Sequence, residues 1–101
     1  MSFLSVLIAK EKARNKNMIA EYMRELVTLP KGNLKPKNVN GNIYYYLVFR
    51  DRNKVVCKYI GKDGESVAAL REQLLRRKQV EEIIKKLTEE KTQIKKIEAM
   101  L

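Results

Sequence analysis

The sequence predicts an α+β fold made of an N-terminal helix, a three-stranded antiparallel meander and a long C-terminal helix with coiled-coil character. Three observations lead to this prediction: apolar residues at helical spacing early in the chain, two turn signals in its middle, and a heptad-spaced apolar stripe near its end. We expect one domain overall, divided into a helix over residues 1–30, a basic sheet over 31–64 and a helix over 65–101.

The first helix is predicted over about residues 3–28. Pro30 and Gly32 then end the helical pattern. The apolar start of the chain is too short to span a membrane, and we expect it to pack against the C-terminal helix rather than lie on a membrane surface. The helical spacing is carried by Ile19, Tyr22, Met23 and Leu26.

The meander is predicted from its two turns. Asn40-Gly41 is typical of a type I′ hairpin turn, in which both central residues have positive φ. Asp51-Arg52-Asn53 suits a three-residue loop that ends with Asn53 in the left-handed region. These turns fix a register in which Lys37 faces Tyr44 and Tyr46 faces Lys58.

Because side chains alternate across a strand, this register sorts the meander into two faces. We expect one to be a core face, on which Cys57 is a buried structural thiol, and the other to be basic and aromatic. The core face holds Leu34, Pro36, Ile43, Tyr45, Leu47, Phe49, Val55, Cys57 and Tyr59, together with the polar Asn38. The basic face holds Lys35, Lys37, Tyr44, Tyr46, Val48, Arg50, Lys54, Val56, Lys58 and Ile60.

The last helix is predicted to start with Ser66 as its N-cap and to run for roughly 55 Å. A small meander cannot cover that length, so the far half of the helix needs a partner. Either the N-terminal helix or a second chain can supply it, and we expect a homo-oligomer. The predicted oligomer interface is Val80, Ile83, Leu87, Ile94, Ile97 and Leu101.

The positive charge of the chain is local. Its net charge is +10, yet residues 31–62 carry eight basic side chains and a single acid, Asp51. A local basic patch with aromatic side chains is what a polyanion surface requires. The alternative is that the N-terminal helix packs on this face of the sheet and covers it. The predicted nucleic-acid-binding residues are Lys35, Lys37, Tyr44, Tyr46, Arg50, Arg52, Lys54, Lys58 and Lys62.

Composition excludes several classes of chemistry. The chain has one cysteine and no histidine, so Cys–His and Ser–His–Asp mechanisms are excluded and metal sites have almost no ligands. We therefore expect no enzyme activity, no metal and no cofactor. A single thiol cannot form an internal disulfide, which favours a reducing, cytoplasmic location.

The motifs of the meander support a resemblance. Tyr44-Tyr45-Tyr46-Leu47, Lys54-Val55 and residues 58–62 (KYIGK), followed by a charged helix, resemble a small uncharacterised domain family of bacteria, archaea and their mobile elements. The resemblance covers about residues 31–90 and implies no particular activity. The order of elements is also similar to that of three-stranded-sheet DNA-binding domains, including the arm-site-binding domains of tyrosine integrases and plant ethylene-response-factor domains.

The sequence thus predicts a small non-enzymatic nucleic-acid-binding protein that uses a basic, tyrosine-bearing sheet face and is oligomeric through its helices. DNA and RNA both remain open as ligands. The alternative is a protein-interaction adaptor, including a phage or mobile-element accessory factor that modulates a nucleic-acid enzyme through a protein partner. No membrane partner is expected.

Overall fold

The computed structural model describes residues 2–101 and has the predicted α+β architecture. A helix precedes a three-stranded antiparallel sheet, and a long helix follows it, which confirms the fold class and the order of elements. The elements are α1 (Phe3–Leu26), β1 (Asn33–Val39), β2 (Asn42–Asp51), β3 (Lys54–Lys62) and α2 (Glu65–Met100).

The chain forms two compact units. Residues 2–28 and 79–101 form a helical unit, and residues 29–78 form a sheet unit. The long helix α2 contributes its first part to the sheet unit and its last part to the helical unit. Each unit therefore has its own interior and is described by itself.

In the helical unit, α1 packs antiparallel to the last part of α2. Lys12 Nζ lies 3.0 Å from Glu98 Oε1, and Asn15 Nδ2 donates to the Leu87 carbonyl oxygen at 2.9 Å. As the residue number rises along α1, the number of its partner on α2 falls, which defines the antiparallel direction. The start of α1 is capped by Ser2, whose hydroxyl accepts from the Ser5 amide at 3.1 Å.

The interior of the helical unit uses the predicted apolar stripe of α2. Val80 is fully buried, and Leu87 and Ile94 are each only 7% exposed. Burial of side chains of this size stabilises by about 1.5–3 kcal/mol each. Asn15 is buried beside them, with 2% of its surface exposed. The polar middle of α1 is thus part of the packing seam.

The sheet has the order β1-β2-β3, and its first hairpin has the predicted register. Val39 pairs with Asn42, and Lys37 pairs with Tyr44. The turn between these strands has φ values of 53° at Asn40 and 83° at Gly41, as a type I′ turn requires. The Asn38 side-chain oxygen also accepts from the Gly41 amide at 3.1 Å.

The second hairpin differs from its prediction by one residue. Asp51 pairs with Lys54, so the loop contains two residues rather than three. Both loop residues have positive φ, 48° at Arg52 and 67° at Asn53. The left-handed conformation of Asn53 is confirmed, but the three-residue loop is wrong.

The physical reason is the twist of the strands. Two-residue turns with two left-handed residues match the right-handed twist of the flanking strands. This match offsets the cost of holding Arg52, a non-glycine residue, in the left-handed region, which is about 1–2 kcal/mol. A one-residue slip transfers every side chain of β3 to the opposite face of the sheet.

A β-bulge near the end of β3 reverses this transfer. Tyr46 pairs with Tyr59, whereas the neighbouring Tyr45 pairs with Gly61, which leaves Ile60 as the extra residue. Gly61 has φ +145°, a conformation that favours glycine. After the bulge, Lys62 pairs with Tyr44 and so returns to the face that the tyrosines Tyr44 and Tyr46 share.

The first part of α2 lies against one face of this sheet. Arg71 is 5.5 Å from the centroid of the Tyr45 ring, Leu47 on the same face is buried, and Leu34 and Leu74 line one groove. This face of the sheet, called the helix face, comprises Leu34, Pro36, Asn38, Ile43, Tyr45, Leu47, Phe49, Asp51, Lys54, Val56 and Lys58.

Helix α2 begins one residue before the predicted cap. Its first residue is Glu65, and the Gly64 carbonyl accepts from the Ala68 amide at 2.9 Å. Gly64 therefore holds the cap position, and Ser66 lies inside the first turn. The prediction of Ser66 as N-cap is therefore wrong, because the cap lies two residues earlier, at Gly64.

Candidate nucleic-acid interface

The face of the sheet opposite the helix face bears a tyrosine cluster among basic side chains. We call it the tyrosine face. Directly paired residues of antiparallel strands point to the same side, so the register alone assigns its members. They are Asn33, Lys35, Lys37, Val39, Asn42, Tyr44, Tyr46, Val48, Arg50, Val55, Cys57, Tyr59 and Lys62.

These residues form rows that cross the three strands. Lys37, Tyr44 and Lys62 form one row, in which a lysine flanks the tyrosine on each side. Lys35, Tyr46 and Tyr59 form the next. Consecutive rows are two residues apart along β2, or about 6.8 Å. The tyrosines are therefore neighbours in two directions on one surface.

Ring contacts confirm the arrangement. The centroids of Tyr46 and Tyr59 are 5.4 Å apart with the rings edge to face, and those of Tyr44 and Tyr59 are 6.2 Å apart. Such pairs contribute about 0.5–1.5 kcal/mol beyond their burial. Tyr59 remains 54% exposed, while Tyr44 and Tyr46 are half-buried. The cluster is thus held by its own contacts and still presents ring surface to solvent.

The electrostatics of the face are uniformly positive. Its four charged side chains, Lys35, Lys37, Arg50 and Lys62, are basic, and none of its thirteen members is acidic. Lys62 Nζ lies 5.6 Å from the centroid of the Tyr44 ring, within cation–π range. This contact places an ammonium group beside the aromatic surface, where it can meet an anion next to a stacked ring.

The predicted binding residues divide into three groups. Lys35, Lys37, Tyr44, Tyr46, Arg50 and Lys62 share the tyrosine face. Arg52 lies in the turn between β2 and β3. Lys54 and Lys58 lie on the helix face, since they pair with Asp51 and Leu47. Their assignment to the basic face is wrong, because the two-residue turn moves them to the other side of β3.

The same one-residue slip moves Val55, Cys57 and Tyr59 to the tyrosine face. The sequence predicts all three on the core face. Val55 is 65% exposed, Tyr59 is 54% exposed and Cys57 is exposed as a free thiol. The expectation of a buried Cys57 is therefore wrong. Val56 and Ile60, predicted on the basic face, are half-buried. The sequence signal for this placement is Arg52-Asn53. If both residues form a type I′ turn, the register places Tyr59 opposite Tyr46 on the tyrosine face.

One end of the tyrosine face contains a shallow hollow of about 310 Å³. Lys31 and Arg50 line it together with the apolar Val48 and Val55. Its backbone edge is tight at Gly32, where an added Cβ would lie 2.6 Å from the Val48 carbonyl oxygen. The hollow offers two cations and an apolar floor to a flat or anionic group.

The predicted oligomer residues divide between buried and exposed positions. Val80, Leu87 and Ile94 are buried within one chain, and Ile83 is half-buried. Ile97 and Leu101 are 41% and 55% exposed. In this set, Ile97 and Leu101 are the residues most accessible to a second chain.

Comparisons with protein-family models, with curated proteins and with solved structures found no match for this chain. The resemblance stated above therefore stays a prediction. Among the described residues, no helix is long and apolar enough to cross a membrane.

Proposed function

We propose that this protein binds nucleic acid through the tyrosine face, without enzymatic activity. The observation that carries the proposal is the cluster of Tyr44, Tyr46 and Tyr59 on a surface whose charged side chains are all basic. Basic side chains contact phosphates, and aromatic rings stack on bases. Both groups point to one side of the sheet here.

Single-stranded DNA or RNA is the ligand that fits this surface best. Aromatic rings on a sheet stack on bases that are not paired, because paired bases in a duplex hide their faces. Val48 and Val55 extend the apolar area beside the rings. An exposed apolar patch with a basic rim is unusual for a surface that only keeps a protein soluble.

Self-association is the second part of the proposal. The ends of α1 and α2 that meet in the helical unit expose apolar side chains, and we propose that a second copy covers them. Phe3 is 78% exposed and Met100 is 84% exposed. Two copies would present two tyrosine faces to one strand, which raises avidity without new contacts. The exposed apolar residues are Phe3, Leu4, Leu7, Ile97, Met100 and Leu101.

The test uses the two faces of the sheet as matched surfaces. Fluorescence anisotropy measures binding of labelled single-stranded DNA, single-stranded RNA and duplex DNA at low and moderate salt. Lys37→Glu with Lys62→Glu reverses two charges on the tyrosine face, and Lys54→Glu with Lys58→Glu reverses two on the helix face. Circular dichroism checks that both variants are folded.

We expect single strands to bind most tightly, with an affinity that falls steeply with salt because counterions are released. The tyrosine-face variant should lose most of its binding, and the helix-face variant should retain more. The proposal fails if the wild type binds no oligonucleotide at low salt, or if both variants lose the same affinity. A protein-interaction adaptor would give the first of these results.

A further inference from the structure

The helical unit contains a second basic site, in a cleft between α1 and the last part of α2. The cleft has a volume of about 290 Å³. This is just below the range of about 300–1,000 Å³ that is usual for small-ligand sites, so only a small ligand fits. It is lined by Lys12, Asn15, Lys16, Lys91, Ile94 and Lys95.

The lysines are brought together by helix geometry. Lys12 and Lys16 are four residues apart on α1, and Lys91 and Lys95 are four residues apart on α2. Residues at this spacing lie on one face of a helix. Because the helices are antiparallel, the two lysine pairs border the same cleft from opposite sides.

Of the four lysines that line the cleft, only Lys12 forms an ion pair with an acidic side chain among residues 2–101. Glu98 pairs with Lys12 at 3.0 Å, and Glu90 pairs with Arg14 at 2.8 Å. Within residues 2–101, the structure gives Lys16, Lys91 and Lys95 no ion pair. Like charges at this spacing repel, so the cleft concentrates positive potential that a multivalent anion would relieve.

The floor of the cleft is fixed. Ile94 is 7% exposed and Asn15 is 2% exposed. The Asn15 amide nitrogen donates to the Leu87 carbonyl oxygen at 2.9 Å and lies 3.5 Å from Glu90 Oε1. The lysine stems thus emerge beside a buried, hydrogen-bonded base rather than from a uniformly exposed helix surface.

We propose that this cleft binds a phosphate-bearing anion of small size, such as an oligophosphate. Each free ammonium group can donate several hydrogen bonds to phosphate oxygens, and charge-assisted hydrogen bonds of this kind are among the strong ones. A free oligophosphate and a backbone phosphate of a nucleic acid share this chemistry. The site lies in the helical unit and does not depend on the tyrosine face.

The experiment is calorimetric titration of the full chain with inorganic tripolyphosphate at constant ionic strength. Lys16→Gln with Lys91→Gln removes one free lysine from each side of the cleft. Lys10→Gln with Lys86→Gln is the matched control, since it also removes one exposed lysine from each helix but neither lines the cleft. Circular dichroism verifies the helical content of each variant.

We expect the wild type and the control to bind tripolyphosphate with similar affinity. The cleft variant should bind at least about tenfold more weakly, because it loses two charge-assisted contacts, one from each side of the cleft. No binding by the wild type, or an equal loss in both variants, would overturn the proposal.

A second titration, with a short oligonucleotide that lacks terminal phosphates, distinguishes the source of the phosphate. If the cleft variant weakens tripolyphosphate binding alone, the site takes free oligophosphate. If it weakens both, the site also takes backbone phosphates. Loss of oligonucleotide binding in the tyrosine-face variant with tripolyphosphate binding unchanged separates this site from the first.

Discussion

Tyr46 lies directly opposite Tyr59 across strands β2 and β3, and the two rings meet edge to face with centroids 5.4 Å apart. This pairing exists because Arg52 and Asn53 form a two-residue turn. A three-residue loop would place Lys58 opposite Tyr46 and would direct Tyr59 to the other face. The aromatic cluster of the proposed binding surface is thus a consequence of turn geometry about seven residues away along β3.

The turn itself can be tested by Arg52→Gly. Arg52 has φ 48°, a left-handed conformation. This conformation raises the free energy of a residue with a side chain but is readily adopted by glycine. We expect the variant to gain about 0.5–1 kcal/mol in free energy of unfolding, measured by chemical denaturation. In a three-residue loop Arg52 would be right-handed and glycine would destabilise it, so a loss of stability would contradict the observed register.

The buried amide of α1 can be tested by Asn15→Asp. The introduced carboxylate would face the Leu87 carbonyl oxygen and the Glu90 carboxylate, neither of which can donate a hydrogen bond to it. We expect a loss of about 1–3 kcal/mol at neutral pH, because the buried carboxylate no longer donates to the Leu87 carbonyl oxygen and the exposed lysines that border the cleft compensate its charge only in part. Asn17→Asp adds the same charge at an exposed position of the same helix and should change stability little.

The pH dependence of this variant has a defined sign. Burial and the Glu90 carboxylate raise the pKa of the introduced group in the folded state above its value in the unfolded chain. The four lysines that border the cleft oppose this shift only weakly, because they are exposed to solvent. Its destabilisation relative to the wild type is therefore largest above that raised pKa and shrinks as the pH falls through it. A difference between variant and wild type that stays constant from neutral to acidic pH would contradict the buried position of Asn15.

Self-association can be tested by light scattering after size exclusion. We expect a mass above that of one 11.8 kDa chain at micromolar concentration. Ile97→Lys with Met100→Lys adds charge to the exposed apolar end of the helical unit and should shift the protein toward monomer. Gln79→Lys with Gln93→Lys adds the same charge elsewhere on α2 and should not. A monomeric wild type refutes this part of the proposal.

The sequence predicts the fold and the first hairpin because their signals are local. Asn40-Gly41 has one favoured turn type, and that turn fixes the register of Lys37 against Tyr44. Pro36 fits only an edge strand, and β1 is one. Five of the nine predicted binding residues, Lys35, Lys37, Tyr44, Tyr46 and Arg50, consequently share the tyrosine face. Lys62 joins them through the bulge in β3.

The loop length of the second hairpin, and with it the register of β3, could not be predicted from the apolar pattern alone. Asp51-Arg52-Asn53 ends with a residue that readily adopts the left-handed conformation, and a three-residue loop places Val55 and Tyr59 in the core, where apolar residues are expected. The structure instead accepts positive φ at Arg52 and leaves Val55 65% exposed. A sequence-based argument that maximises burial misses a surface whose apolar residues stay exposed.

The burial of Asn15 also could not be predicted from the pattern of apolar and polar residues in the sequence. Polar residues in the middle of a predicted helix indicate exposure, yet Asn15 is 2% exposed and donates to the Leu87 carbonyl oxygen. A buried polar residue in a helical seam is known to specify register at some cost in stability. Its burial depends on the partner helix, which lies more than 70 residues later in the chain.

The central claim, that Tyr44, Tyr46 and Tyr59 bind unpaired bases, is tested most directly by nuclear magnetic resonance of the tyrosine rings. The protein has five tyrosines, and Tyr22 in α1 and Tyr45 on the helix face serve as internal controls. On titration with a single-stranded oligonucleotide, the ring signals of Tyr44, Tyr46 and Tyr59 should move because stacked bases shield them. Equal movement of all five rings, or movement of Tyr22 and Tyr45 alone, would contradict the account.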